Sequence, residues 1–184
     1  MAVDGPRGDG VADSPTERLA MNAPPPKETP AFHVVLVGPE IAANAGAIGR
    51  TCVAVGAALW LVRPLGFHLD DRAVRRAGLD YWEHLDLRVV DDLDEVVAAL
   101  GRKRLWWFST RASRVYTDAP FRQGEGLVFG PESQGLPARR LAEAGDRALR
   151  IPMRPEARSL NLANAASVGL YEAVRRAGLE TPQD

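Results

Sequence analysis

The chain has 184 residues, one cysteine and a formal net charge of −1, so it suits one domain with a tail. A single cysteine, Cys52, excludes a disulfide framework and a cysteine zinc site and fits a reducing cytosol. His33, His68 and His84 are scattered without metal-ligand spacing, and no apolar run approaches the ~18 residues of a membrane span.

Residues 1–30 hold six of the fourteen prolines and no aromatic residue. Such a segment cannot offset its ordering entropy by burial and is expected to be a disordered tail. It has no apolar core of a signal peptide. The expected domain runs over residues 31–184. Its basic and acidic residues nearly balance, so any nucleic-acid role must rest on a local patch.

FHVVLVG (32–38) reads as a buried strand by run length and β-branching. NAGAIGRTCVAVG (44–56) has helical spacing, with Ile48, Cys52 and Val55 on one face and Gly56 as a stop. ALWLV (58–62) is the next strand. Asp70 and Asp71 can cap a short helix, DDRAVRRAG. LRVV (87–90) is a weak strand before the helix DLDEVVAALG. RLWWFS (104–109) and GLVFG (126–130) are further strands, and PARRLAEAG is a short helix. LRIPM (149–153) is a last strand, and SLNLANAASVGLYEAVRRAG a long terminal helix. Strand and helix alternate throughout. The expected class is α/β, with a mostly parallel sheet and helices on both faces.

Ligands of such sheets bind beyond the carboxyl ends of the strands, so the loops there carry the search. GPESQGLP (130–137) combines two glycines with Glu132. Gly130 and Gly135 allow left-handed turns and close backbone approach. The loop is neither a dinucleotide fingerprint nor a P-loop, and composition alone leaves a plain strand-to-helix turn equally open. PEIAANAGAIGR (39–50) puts Asn44 at a helix start, where an N-cap would explain it. Arg50 lies inside that apolar helix; its guanidinium must snorkel outward or meet an anion. In RPLGFHLDDRAVRRAGLDYWEH (63–84), Arg72, Arg75 and Arg76 interleave with Tyr81 and Trp82, a mix that suits phosphate and base contact or a solvated helix face. From Arg139 to Arg158 six arginines face three acids, the strongest local basic bias. At the mouth of the last helix, Ser159, Asn161 and Asn164 exceed what one cap needs, which suits a bound polar ligand.

PEIAANAGAIGRTC, LVFGPESQGLP and LRIPMRPEARSLNLANAASVGLYEA, in that order, resemble the three motifs of the SpoU branch of the SPOUT RNA methyltransferases. RPLGFHLDDRAVRRAGLDYWEH looks still more like the short TrmL type, the tRNA (cytidine/uridine) 2′-O-methyltransferases acting at the anticodon wobble position. The resemblance covers about residues 33–177. It implies a C-terminal deep trefoil knot, which periodicity could not have suggested. It also implies a pocket for S-adenosyl-L-methionine, whose product would be S-adenosyl-L-homocysteine, with no metal. A cytoplasmic homodimer acting on tRNA, away from any membrane, is implied as well.

Matched residue by residue, the cofactor pocket falls on Phe108, Gly130, Glu132, Ile151 and Ser159. The catalytic group falls on Asn44, Arg50, Glu132 and Asn161, and RNA binding on Arg50, Arg158 and Tyr171. Arg50 would hold the target phosphate and stabilise a developing alkoxide, since a guanidinium is a poor base. Glu132 or water would take the proton. Trp106 and Trp107 stand where smaller apolar residues are usual, which bears on pocket shape or dimer packing. Two further readings stand beside this one: 2′-O-methylation of another tRNA or rRNA nucleotide, and a non-catalytic RNA-binding factor with a relic pocket. A Rossmann-type nucleotide binder is disfavoured by the missing glycine fingerprint.

Overall fold

A computed structural model describes residues 29–69 and 81–179. The tail, the DDRAVRRAG helix with Arg72, Arg75 and Arg76, the Trp82 side chain and the last five residues lie outside the described residues.

Seven parallel strands form one sheet: β1 (His33–Val37), β2 (Ala58–Val62), β3 (Asp86–Val90), β4 (Leu105–Phe108), β5 (Arg114–Val115), β6 (Gly126–Phe129) and β7 (Ala148–Arg150). Their order is β3-β2-β1-β6-β4-β7-β5. The central strands are apolar at nearly every position because helices cover both faces. Two-residue β5 is too short to leave a periodic signal and is not among the expected strands. The LRIPM strand is shorter than expected: β7 stops at Arg150, and residues 151–161 run on without regular structure.

The helices are α1 (Ala42–Val55), α2 (Leu93–Leu100), α3 (Ala138–Ala144) and α4 (Leu162–Ala177). Side chains alternate across each strand, so the sheet feeds two cores. On one face Leu36, Leu61, Trp106, Phe108 and Leu127 pack with Ile48, Cys52 and Val55 of α1 and with Ala166, Leu170 and Ala173 of α4. On the other, Val35, Trp60, Trp107 and Val128 pack with Val96 of α2 and Leu141 of α3. The expected apolar face of α1 is therefore the buried one. Gly56 ends α1 at φ 68°, its N–H reaching the carbonyls of Cys52 and Val53. Among the described residues no helix is long and apolar enough to cross a membrane.

Candidate functional site

The chain builds β1, β2 and β3 to one side, then crosses to the other side of β1. That reversal opens a crevice beyond the carboxyl ends of β1, β6 and β4. A cavity of about 440 Å³ sits there, within the usual range for small-ligand sites. Four segments wall it: the start of α1, the turn after β4, the loop after β6, and residues 151–161 leading into α4.

One wall is apolar. Phe108 and Phe129 stack with ring centroids 4.7 Å apart. Gly169 of α4 lets the Phe108 ring lie against the helix, since a Cβ there would stand 2.9 Å from its Cζ. The opposite wall is the loop after β6, folded against itself. A Cβ on Gly130 would come within 2.3 Å of the Gly135 carbonyl carbon. Gly135 is left-handed at φ 66°, as expected; Gly130 is needed for close approach and not for a turn.

The rim is polar and directional. The N–H groups of Ala163 and Asn164 donate to Asn161 Oδ1 at 2.9 and 3.3 Å, capping α4. Asn161 Nδ2 donates to Asn44 Oδ1 at 3.0 Å, and Asn44 Nδ2 donates to Glu132 Oε1 at 2.9 Å. Backbone donors at one end and a carboxylate at the other fix both amide orientations without ambiguity. Three loops distant in sequence are thereby joined in one chain of hydrogen bonds.

This arrangement corrects the cap reading of Asn44. The N-cap of α1 is Ile41, with no side-chain cap bond, and Asn44 lies buried inside the first turn. The anionic partner at this helix end comes from across the sheet. Glu132 Oε2 accepts from the N–H of Glu40 at 2.9 Å, and Oε1 accepts from that of Ile41 at 3.3 Å. A carboxylate at a helix N-terminus also meets the positive end of the macrodipole. Of the polar cluster before α4, only Asn161 caps; Ser159 lines the cavity and the Asn164 side chain is exposed.

Phe108, Gly130, Glu132, Ile151, Ser159, Asn44, Asn161 and Arg158 all line the cavity. Arg50 and Tyr171 are outside that lining. Arg50 points to solvent from α1 with its guanidinium 4.7 Å from the Tyr81 ring centroid, and Tyr171 is exposed on α4. The basic bias of residues 139–158 is largely neutralised internally. Arg139 pairs with Glu143, Arg140 with Asp94, Arg147 with Glu125, and Arg150 donates to the Ser113 carbonyl. Arg154 and Arg158 remain exposed, and Arg158 lines the cavity. Trp106 and Trp107 are fully buried on opposite faces of the sheet, and neither lines the cavity. Burial pushes the Cys52 thiol far up, which makes it inert.

The profile of the SpoU rRNA Methylase family matches residues 31–171. The chain belongs to this family. It is 48% identical over 152 residues to a tRNA (cytidine(34)-2′-O)-methyltransferase of Burkholderia cenocepacia (strain HI2424), covering 81% of this chain and 97% of that one. A solved structure described as "Structural insights into the 2-OH methylation of C/U34 on tRNA" is 47% identical with a TM-score of 0.73, covering 80% of this chain and 96% of that chain. The SpoU methyltransferase AviRb of Streptomyces viridochromogenes, solved in complex with AdoMet, is 29% identical with a TM-score of 0.70, covering 80% of this chain and 58% of that one.

Within this SpoU fold, sequence reasoning passed over three polar residues of the site. Arg111 lines the cavity and its Nη2 donates to the Leu136 carbonyl at 2.9 Å, holding the loop after β6 from the β4 side. Glu40 accepts from Ser133 through both the backbone N–H, at 2.9 Å, and the hydroxyl. The signal for Glu40 was present: Gly-Pro-Glu occurs twice, at 38–40 and 130–132, each time just past a central strand.

Proposed function

We propose that the chain is an S-adenosylmethionine-dependent tRNA ribose 2′-O-methyltransferase, acting on the cytidine or uridine at the anticodon wobble position. The observation that carries this is the Asn161–Asn44–Glu132 chain at the rim of a cavity of cofactor size, in a chain so similar to the Burkholderia enzyme.

The residues present fit the cofactor. Stacked Phe108 and Phe129 with Ile151 give an apolar slot for a flat base. The close approach at Gly130 keeps side chains out of the way of the loop backbone and Ser159. When bound, S-adenosylmethionine supplies a methyl group activated by sulfonium charge. The protein then has to align the ribose 2′-oxygen, a contribution of up to ~7–11 kcal/mol in the best cases. Asn44 and Asn161 each keep one amide N–H outside the chain of hydrogen bonds, available to that oxygen. Glu132 already accepts three donors, so it orients Asn44, and the proton leaves to water or to the remaining lone pair of Oε2. Arg50 and Arg158 hold RNA phosphates, and Tyr171 contacts RNA from α4. No metal takes part.

A homodimer is supported by exposed Ile41, Leu160, Val168 and Tyr171, an apolar set around the α1–α4 side. A C-terminal trefoil knot is supported by the late strand β7 lying between β4 and β5, after which the chain returns to pack α4 on α1. Action on tRNA, as in the Burkholderia relative, supports a cytoplasmic site of action.

The test is methyl transfer from labelled S-adenosylmethionine to tRNA transcripts, with the modified nucleotide mapped. Label on the wobble ribose is expected. Label only elsewhere in tRNA or in rRNA moves the target, and the absence of both transfer and cofactor binding leaves the relic factor.

A further inference from the structure

The two Gly-Pro-Glu segments leave β1 and β6, which are neighbours in the sheet with Leu36 opposite Phe129. Their glutamates reach across to each other's loop in a reciprocal pattern. Glu132 accepts from the N–H of Ile41, the residue after Glu40, at 3.3 Å. Glu40 accepts from the N–H of Ser133, the residue after Glu132, at 2.9 Å. Three bonds break the symmetry: the Ser133 hydroxyl donates to Glu40, while the Glu40 N–H and Asn44 donate to Glu132. Glu132 thus belongs to the reacting rim, while Glu40 is not among the residues that line the cavity.

Glu40 is braced from behind. The N–H of Gly66 donates to the Pro39 carbonyl at 2.9 Å, and a Cβ on Gly66 would stand 2.7 Å from the Glu40 Cα and carbonyl oxygen. The turn after β2 therefore presses directly on the Glu40 backbone. Ile41 and Ser133, the two residues that the clamp ties down, both line the cavity. Opening the clamp would let these two walls separate and would release the backbone N–H groups that hold Glu132.

We propose that Glu40 is a positioning residue for the methyl transfer, acting through Ser133 to hold Glu132 and Asn44 in register across the cavity mouth. This rests on the proposed function for its kinetic consequence, and on geometry alone for the clamp. In Glu40→Ala both acceptors of Ser133 are lost. In Glu40→Gln the amide oxygen still accepts from the Ser133 N–H, and the amide NH₂ can donate to the hydroxyl. Ser133→Ala removes only the hydroxyl bond.

The experiment measures single-turnover methyl transfer to a tRNA transcript at saturating cofactor, RNA affinity, and amide hydrogen exchange of the 130–136 loop in the cofactor-free protein. For Glu40→Ala a loss of about tenfold to a hundredfold in the transfer step is expected, of the size that small misplacements cause. RNA affinity should stay within about threefold, the pattern of a lost transition-state arrangement rather than lost binding. Exchange in the loop should accelerate, Glu40→Gln should recover most of both losses, and Glu40→Ala should be no worse with Ser133→Ala added. Wild-type transfer and exchange in Glu40→Ala would overturn the proposal, as would a defect confined to RNA affinity or additive with Ser133→Ala. Should the parent protein transfer no methyl group, the functional reading fails separately, and the exchange measurement still decides the clamp.

Discussion

At the lower edge of the sheet, where the parallel strands begin, Glu125 is buried and accepts from Trp106 Nε1 at 2.6 Å, Arg147 Nη1 at 3.1 Å and the N–H of Arg122 at 2.9 Å. At the upper edge, where the strands end, Glu132 accepts from Asn44, Glu40 and Ile41. Each carboxylate gathers three donors, yet the surroundings differ. The Glu125 network is closed: Arg147 covers the Trp106 ring at 4.2 Å, and Phe121 packs edge-on at 5.4 Å. The Glu132 network borders a cavity and leaves amide N–H groups unused. A satisfied buried network rigidifies a fold, whereas one with spare donors beside a cavity is prepared for a ligand. Chemistry and stability should therefore separate by edge.

The largest expected effect tests the upper edge. Asn161→Asp keeps a cap for α4 but removes the donor to Asn44 and sets a carboxylate against an amide oxygen. Methyl transfer should fall about a hundredfold. The denaturation midpoint should move little, because the cap survives. An equal loss of stability would mean that the chain of hydrogen bonds is structural in the same sense as the lower one.

The lower edge should answer in the opposite way. Glu125→Ala strands the Trp106 indole, the Arg147 guanidinium and one backbone N–H together. A loss of about 2–4 kcal/mol is expected in chemical denaturation. Below the unfolding transition, turnover per folded molecule should be unchanged. A large drop in turnover would show that the two edges communicate through β6.

The two edges also differ in how far the sequence revealed them. The strands, the apolar face of α1 and the Gly56 stop were legible because run length and spacing report burial directly. The cavity residues followed from the loops after strands and from the family motifs. The partners of Asn44 were not legible, because a residue type near a helix start reports local capping, while Glu132 and Asn161 lie 88 and 117 positions away. Glu125 drew no notice for the same reason, since an acid between Gly124 and Gly126 looks like a surface turn. The arginine-rich stretch overstated its charge because Asp94 and Glu125, its acidic partners, are remote in sequence.

The smallest expected effect uses pH to isolate the lower edge. His33 opens β1, and its Nδ1 accepts from Trp60 Nε1 at 3.1 Å, so the ring is neutral there. Burial first, then the Arg88 and Arg104 charges and despite Asp86, lowers its pKa from 6.5 to about 4. A depressed folded value means that the unfolded chain binds the extra proton first. This contribution to stability is complete above pH 6.5, declines as pH falls, and is lost once pH passes below about 4. Glu143 and Glu172 are held low by hydrogen bonds from Arg102 and Arg175, so their contributions fade only below the ordinary carboxylate value of 4.5. Between pH 6.5 and 4.5 the denaturation midpoint should therefore track His33. A His33→Leu variant should be nearly flat across that window, since no imidazole remains to be charged. A slope unchanged by the substitution would assign the pH dependence to a different group and leave the lower edge insensitive to acid.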